Sequence, residues 1–180
     1  MPVEALHEPE AGDQLTDRFW AAQTDSSAAV SRSLLTPLRA PLRQLKFPAR
    51  QGVFVVQLSG PTPAWVVGTI EDMIKLLDLP ENWDSYGAKP VSPARVSQSL
   101  RILFDVIPPD APAPTLAPTT RGEIQAEWKL GPWDVELEMH ADGSISLLAE
   151  HETSSESNVD LERSNDRAFV REVLVRILAA

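Results

Sequence analysis

The chain has 180 residues, is 43% hydrophobic and carries a formal net charge of -10, from 26 acidic and 16 basic residues. This length suits one domain with a tail. The absence of cysteine excludes disulfides, Cys-ligated zinc, iron–sulfur clusters and thiol nucleophiles. The acidic balance argues against direct nucleic-acid binding, because Lys and Arg must neutralise phosphates in such complexes.

The N-terminus reads Met-Pro-Val-Glu and has neither the basic start nor the apolar core of a secretory signal. No apolar run approaches the roughly 20 residues that cross a bilayer. We therefore expect a cytoplasmic protein without a membrane segment.

Residues 1–50 are predicted to form a flexible leader. Residues 1–31 are rich in Ala, Ser, Asp and Glu and show weak periodicity, whereas residues 32–50 are basic and contain no acid. Pro37 and Pro41 interrupt any long helix there. The basic stretch predicts an arm that folds back on the acidic domain, with nucleic-acid or membrane contact as the alternative.

Residues 51–180 are predicted to form a single α+β domain. Its first strand is the β-prone run 53–58, which ends at glycine and proline. The proline-rich segment 108–118 predicts an extended, polyproline-like linker. Val159 and Leu161 favour a short edge strand near the end of the domain.

Three helices are predicted from their first residues. Ser92 followed by Pro93 is a cap with a first-turn proline. Thr69 resembles a cap with Asp72 three residues later. Asn165 is predicted to cap the last helix, whose apolar residues recur at helical spacing.

Residues 122–149 alternate between apolar and polar side chains, which predicts strands that are buried on one face. Turn residues separate the runs, so the pattern is typical of an antiparallel β-meander. We predict four to five strands in this sheet, with about three helices packed on its apolar face.

The alternation of side chains between the two faces of a strand predicts the two turns of the meander. A two-residue turn at Gly131-Pro132 keeps Leu130 and Trp133 on the same face. A three-residue loop over 141–143, with a left-handed glycine, keeps Ile145 on that face, whereas a two-residue loop would turn it outward.

The opposite face of this sheet is predicted to be acidic. Between residues 122 and 162, 11 acids accompany one base, Lys129. The register sets Glu127 opposite Glu136, and such like-charge pairs cost stability. The acids of this stretch are Glu123, Glu127, Asp134, Glu136, Glu138, Asp142, Glu150, Glu152, Glu156, Asp160 and Glu162.

This acidic face has three interpretations. The first is a solvated surface that maintains solubility and prevents aggregation. The second is a docking surface for a basic protein, such as a toxin, a nuclease or a DNA-binding protein, with Glu127, Asp134, Glu136 and Glu138 as the contacting residues. The third is a metal site at Glu127, Glu136 and His140. That spacing matches no ligand signature, so we predict no metal and no cofactor.

The loop Asn82–Pro90 is the second candidate surface. Trp83, Asp84 and Tyr86 together favour a pocket or a partner-binding hot spot. The structural alternative is that Trp83 and Tyr86 fill the core while Asn82 or Asp84 binds backbone amides.

Two segments resemble a group of small uncharacterised bacterial and phage proteins. These share an Asn-Trp-Asp-x-Tyr-Gly-Ala loop, seen here at 82–88, and a Gly-x-Ile-x-x-Glu-Trp strand, seen here at 122–128. The resemblance covers roughly the middle half of the chain and implies a bacterial or phage origin. It nominates five residues without assigning roles: Trp83, Asp84, Tyr86, Glu127 and Trp128.

No hydrolase, metalloprotease, P-loop or dinucleotide motif is present, and no catalytic residue is assigned. The sequence therefore predicts a non-enzymatic protein-binding module of the antitoxin, immunity or inhibitor type. One alternative is a small enzyme or ligand-binding domain that uses the Asn82–Tyr86 loop with Glu127. Another is a phage or mobile-element structural protein, which would form a defined homo-oligomer.

Overall fold

The alternating residues of the C-terminal half form a five-stranded antiparallel sheet in the computed structural model, which describes residues 42–49 and 52–179. The predictions for residues 1–31, and for the part of the basic arm before residue 42, lie outside the described residues. The elements are β1 (Leu42–Ala49), β2 (Gly52–Ser59), α1 (Val66–Leu76), α2 (Pro93–Val106), β3 (Thr115–Pro118), β4 (Ile124–Leu130), β5 (Trp133–Met139), β6 (Ile145–His151), a 3-10 turn (Ser155–Ser157), β7 (Val159–Ser164) and α3 (Arg167–Leu178).

The α+β class is confirmed. The large sheet has the simple order β3-β4-β5-β6-β7, and β1 and β2 form a separate antiparallel hairpin. Both predicted turns are confirmed by the register, which pairs Leu130 with Trp133 and Met139 with Ile145. Gly143 has a φ of 86°, the left-handed conformation expected for the three-residue loop.

The apolar face of the sheet is buried, as predicted. Val135, Leu137 and Ile145 belong to one core cluster that also contains apolar residues from α1, α2 and α3. α2 contacts both α3 and β4, whereas α1 contacts β3, α2 and β1. The helices therefore supply the cover that the apolar side of the sheet needs.

The hairpin corrects the predicted leader boundary. The basic charge of residues 42–49 predicts part of the leader, but these residues form β1 and pair with β2. Phe47 lies opposite Phe54 and is only 7% exposed, within the main core. The inward-facing residues Leu45, Phe47 and Ala49 occur at every second position, and this periodicity outweighs the charge of Lys46 between them.

The proline-rich linker is also corrected at its end. Thr115–Pro118 forms the edge strand β3, which pairs with β4. Proline lacks a backbone N–H, so its place at the end of an edge strand removes no ladder bond from the sheet interior. The preceding linker packs against the core, because Ala111 is buried in the core cluster and the Trp128 indole N–H donates to the Pro112 carbonyl at 3.1 Å.

One of the three predicted caps is confirmed and two are wrong. Ser92 caps α2, since its side chain accepts from the Arg95 N–H. Thr69 lies inside α1, where its hydroxyl donates to the Trp65 carbonyl at 2.7 Å. Asp166, and not Asn165, caps α3 by accepting from the backbone N–H three residues later.

The Asn82–Pro90 loop lies against the turn between β3 and β4. The Lys89 N–H donates to the Thr120 carbonyl at 3.0 Å. Gly122 has a φ of 76°, and a Cβ atom there would lie 2.7 Å from the Pro90 carbonyl oxygen. Only glycine allows this approach, so the two segments that carry the sequence resemblance meet at one junction.

We expect Gly122→Ala to destabilise the protein by about 1–3 kcal/mol more than Gly131→Ala, because it adds steric overlap to backbone strain. Gly131 is the matched control, since it also has a positive φ of 59°, but a Cβ atom at this position would meet no other residue within 4 Å. Urea denaturation of both variants measures the difference. Equal losses would show that the junction tolerates a methyl group.

Candidate functional site

The face of the sheet that points away from the helices contains a groove of about 360 Å³. We call it the outer-face groove. Its wall residues come from the β3–β4 turn and from strands β4 to β7, and most are charged or polar. They are Arg121, Gln125, Glu136, Glu138, His140, Ser146, Leu147, Leu148, Asp160, Leu161, Glu162 and Arg163.

The four acids predicted to bind a partner lie on this face, but two of them already have cationic neighbours. The Lys129 ammonium contacts Asp134 at 2.8 Å and also Glu152 at 2.7 Å. The Arg121 guanidinium contacts Glu138 at 2.6 Å. The face is therefore less uniformly negative than the count over residues 122–162 implied, since Arg121 lies just before that stretch.

The remaining two predicted acids face each other across β4 and β5. Glu127 pairs with Glu136 in the register, as predicted. The Gln125 amide donates to both carboxylates, at 3.2 Å to Glu127 and at 3.1 Å to Glu136. Among the described residues, no ion pair involves either carboxylate. Two like charges are thus held together by one neutral side chain.

The groove has a buried polar wall that the sequence pattern did not reveal. Glu123 and His140 are only 4% and 2% exposed. The His140 Nδ1 atom lies 3.5 Å from Glu123 Oε2, and its Nε2 atom lies 2.7 Å from Ser146 Oγ. A carboxylate, an imidazole and a hydroxyl therefore follow one another in a chain.

The carboxylate at the start of this chain is held at both oxygens. The Ala141 N–H donates to Glu123 Oε1 at 2.7 Å, and the Arg121 Nε–H donates to Oε2 at 2.9 Å. Burial acts to raise the pKa of Glu123, but the bonds from Ala141, Arg121 and His140 outweigh it and hold the pKa below its usual range. Glu123 is consequently an anion at neutral pH.

The hydroxyl at the other end faces a backbone irregularity in β7. Between Ile145 and Leu147 the register shifts, so that Glu162 and Arg163 together lie opposite the single residue Ser146. Arg163 has a φ of 43°, and its N–H donates to Ser146 Oγ at 3.1 Å. This is a β-bulge, and bulges of this kind redirect groups at sheet edges and beside active sites.

The predicted metal-site alternative is corrected. Within the described part of the chain, the group whose ligand atoms all lie within 4.8 Å of one another is Glu123, Glu138 and His140, without Glu127 or Glu136. The Arg121 guanidinium bonds to both carboxylates of this group. The chain thus supplies its own cation at this position.

The Asn82–Pro90 loop is held by its own polar side chains. Asp84 Oδ1 accepts from the Tyr86 and Ala88 N–H groups at 2.8 and 3.0 Å, and Asn82 Oδ1 accepts from the Gly87 N–H at 2.6 Å. The bonds from Tyr86 and Ala88 lower the pKa of Asp84. The predicted structural role of Asn82 and Asp84 is therefore confirmed.

The predicted burial of Tyr86 is wrong, since this side chain is 95% exposed. Asn82, Ser85 and Gly87 all have positive φ angles, and this tight path turns Tyr86 outward. Trp83 is half-buried, and its indole N–H is shielded from solvent without a partner among the described residues. The loop thus presents one aromatic ring to solvent from a rigid backbone.

The chain matches no protein-family model, no curated protein and no solved structure. The resemblance to small bacterial and phage proteins therefore stays a prediction. Among the described residues, no helix combines the length and apolar character that crossing a bilayer requires.

We expect the Glu123 carboxylate to make the free energy of unfolding fall at acidic pH. Its folded pKa is lowered, so its contribution is present above the unfolded value of about 4.3 and is lost as pH falls through the folded value. Glu123→Gln should cost about 1.5–3 kcal/mol at pH 7. Urea denaturation from pH 7 to pH 3.5 should show this difference shrinking. A constant difference would contradict the assignment, and Glu81→Gln is the exposed control.

We expect Glu136→Gln to stabilise the protein by about 0.2–1 kcal/mol, because it removes the like-charge pair with Glu127. The new amide oxygen can still accept from Gln125. Thermal and urea unfolding, compared with Glu81→Gln, would measure the gain. A loss of stability would show that the Glu136 carboxylate has an unrecognised favourable contact.

Proposed function

We propose that this chain is a protein-binding module of the antitoxin, immunity or inhibitor type, which docks a basic partner through the outer-face groove. The observation that carries this proposal is the Glu127–Glu136 pair. These two like charges face each other across β4 and β5, and no cation lies beside them among the described residues. A basic side chain from a partner would neutralise both charges at once.

The cost of this pair supports a role in binding. Like charges that lie directly opposite each other on two strands destabilise a sheet. At two other points on the same face the chain places a cation beside an acid, Lys129 beside Asp134 and Arg121 beside Glu138. Proteins commonly sacrifice stability where function requires it. The uncompensated pair therefore marks the part of the face that is suited to an external cation.

The shape of the surface also supports docking. Asp160 and Glu162 are exposed on the opposite wall of the groove, so a basic side chain would meet acids from β5 and from β7. The half-buried Leu148 lies between them on β6 and offers apolar contact to the stem of a Lys or Arg. Both features suit a long basic side chain better than a small ion.

Tyr86 supplies a second contact for the same partner. Its loop bonds to the β3–β4 turn through Lys89 and Thr120, and the next residue, Arg121, lines the groove. A ring that is 95% exposed on a hydrogen-bonded backbone can be buried with little loss of conformational entropy. The loop thus adjoins the turn that carries Arg121.

The alternative enzyme at the Asn82–Tyr86 loop has less support. Asp84 Oδ1 already accepts two backbone N–H bonds, and its lowered pKa makes it a poor proton donor or acceptor near neutral pH. Glu127 bonds to Gln125 on the sheet face. These contacts favour a structural role over a catalytic one for the two carboxylates that this alternative requires.

A charge-matched pair of double variants tests the docking proposal. We expect Glu127→Gln/Glu136→Gln to weaken binding of a nona-arginine peptide about fivefold, because two charge contacts, one half-buried and one exposed, are lost. Glu71→Gln/Glu172→Gln removes the same charge from exposed positions on α1 and α3, away from the groove, and should change the affinity less than about twofold. Titration calorimetry at low and physiological salt measures both. Equal weakening by the two double variants would show non-specific attraction and contradict the proposal.

A further inference from the structure

We propose that Ser146, His140 and Glu123 form a nucleophile–base–carboxylate relay, through which Ser146 takes an acyl group from a small ester in the outer-face groove and transfers it to water. This inference goes beyond the docking function and depends on different atoms. It rests on the geometry of the polar chain, on the rigidity of its carboxylate and on the bulge that faces the hydroxyl.

The geometry of the chain is that of an activated hydroxyl. Ser146 Oγ lies 2.7 Å from His140 Nε2, within the range in which an imidazole accepts a hydroxyl proton. The other ring nitrogen, Nδ1, faces Glu123 Oε2 at 3.5 Å and Glu138 Oε1 at 3.9 Å. Two carboxylates on that side favour the tautomer with the proton on Nδ1, which leaves Nε2 free to accept.

The orienting carboxylate is fixed before any substrate binds. Glu123 accepts from the Ala141 N–H and from Arg121, and it is almost fully buried. A buried carboxylate with these partners stays ionised and holds the imidazole in one orientation.

The bulge gives the third observation. Arg163 has a φ of 43°, a conformation that costs free energy for a residue with a side chain. This strain directs its N–H to Ser146 Oγ at 3.1 Å. Because Ser146 Oγ accepts this bond, its own proton is left to point toward His140 Nε2 at 2.7 Å. Strained residues of this kind cluster at functional sites.

The groove limits the substrate by size and charge. A volume of about 360 Å³ admits a small molecule or one side chain. Its wall carries more acids than bases, so an ester of an anionic acid is disfavoured. The acids are Glu136, Glu138, Asp160 and Glu162, and the bases are Arg121 and Arg163. The substrate class is therefore a neutral or cationic carboxylic ester.

The reaction balances with water as the second reactant. Ser146 Oγ bonds to the carbonyl carbon while its proton passes to His140 Nε2. The tetrahedral adduct then expels the alcohol, which takes that proton and leaves an ester of Ser146. A water molecule attacks this ester, gives one proton to His140 and releases the carboxylic acid as the proton returns to Ser146 Oγ. No oxidant, metal or cofactor takes part.

A covalent label on the full chain tests the relay. We expect a neutral fluorophosphonate probe to phosphonylate Ser146, located by peptide mass spectrometry of the wild-type protein. Ser146→Ala should remove this label, and His140→Asn should slow labelling at least about 100-fold, since a positioned base contributes roughly that factor or more. Ser157→Ala, a change in the exposed 3-10 turn, should label like the wild type.

The hydrolysis of p-nitrophenyl acetate gives a second readout. We expect a burst of p-nitrophenol in wild type that is absent in Ser146→Ala. Because the mass of the labelled peptide is measured on wild-type protein, misfolding of a variant cannot mimic success. The proposal is overturned if wild-type Ser146 stays unlabelled, or if His140→Asn, with its melting temperature preserved, is labelled at the wild-type rate. The nona-arginine titration remains an independent test of docking.

Discussion

The register between β4 and β5 is the constraint on which both faces of the sheet depend. Because side chains alternate along a strand, a shift of one residue would exchange the buried and exposed sets. Pairing Leu130 with Trp133 directs Val135 and Leu137 to the helices. The same pairing brings Glu127 opposite Glu136 on the other side. The core thus determines where the acids stand, and the energetic penalty on the outer face is a consequence of correct packing on the inner face.

Cations offset the negative charge at two ends of the outer face but not at the position between them. At one end, Arg121 neutralises two carboxylates and helps to bury Glu123 beside His140. At the other end, Lys129 bridges β5 and the loop after β6 through its two acids. Between them, only a neutral amide separates Glu127 from Glu136. A basic residue here would stabilise a surface kept for solubility alone, whereas on a surface for a cationic partner it would repel that partner.

The features of the sheet that were predictable from sequence are those that follow from the alternation of side chains along each strand. Both turns followed from keeping apolar residues on one face, and the extended ladder also sets Glu123 beside His140. The burial of Glu123 and His140 was not predictable. The alternation of side chains places both residues on the outer face and does not show that Arg121 covers them. The sequence does not predict the hairpin, because the basic residues of 42–49 obscure an alternation of only three apolar side chains, Leu45, Phe47 and Ala49. The pattern at Thr69 predicts a cap wrongly, because a threonine inside a helix can bond to its own preceding turn.

The β7 bulge connects these observations. An exposed edge strand invites pairing with another chain, and a bulge that twists the edge is one way to prevent it. Here the bulge also sets two residues against Ser146, so that a backbone N–H leaves the ladder and reaches a side-chain oxygen. Protection of an edge alone requires no histidine and no buried carboxylate behind that oxygen. The strained Arg163 backbone is therefore better explained by the polar chain it faces than by the edge it protects.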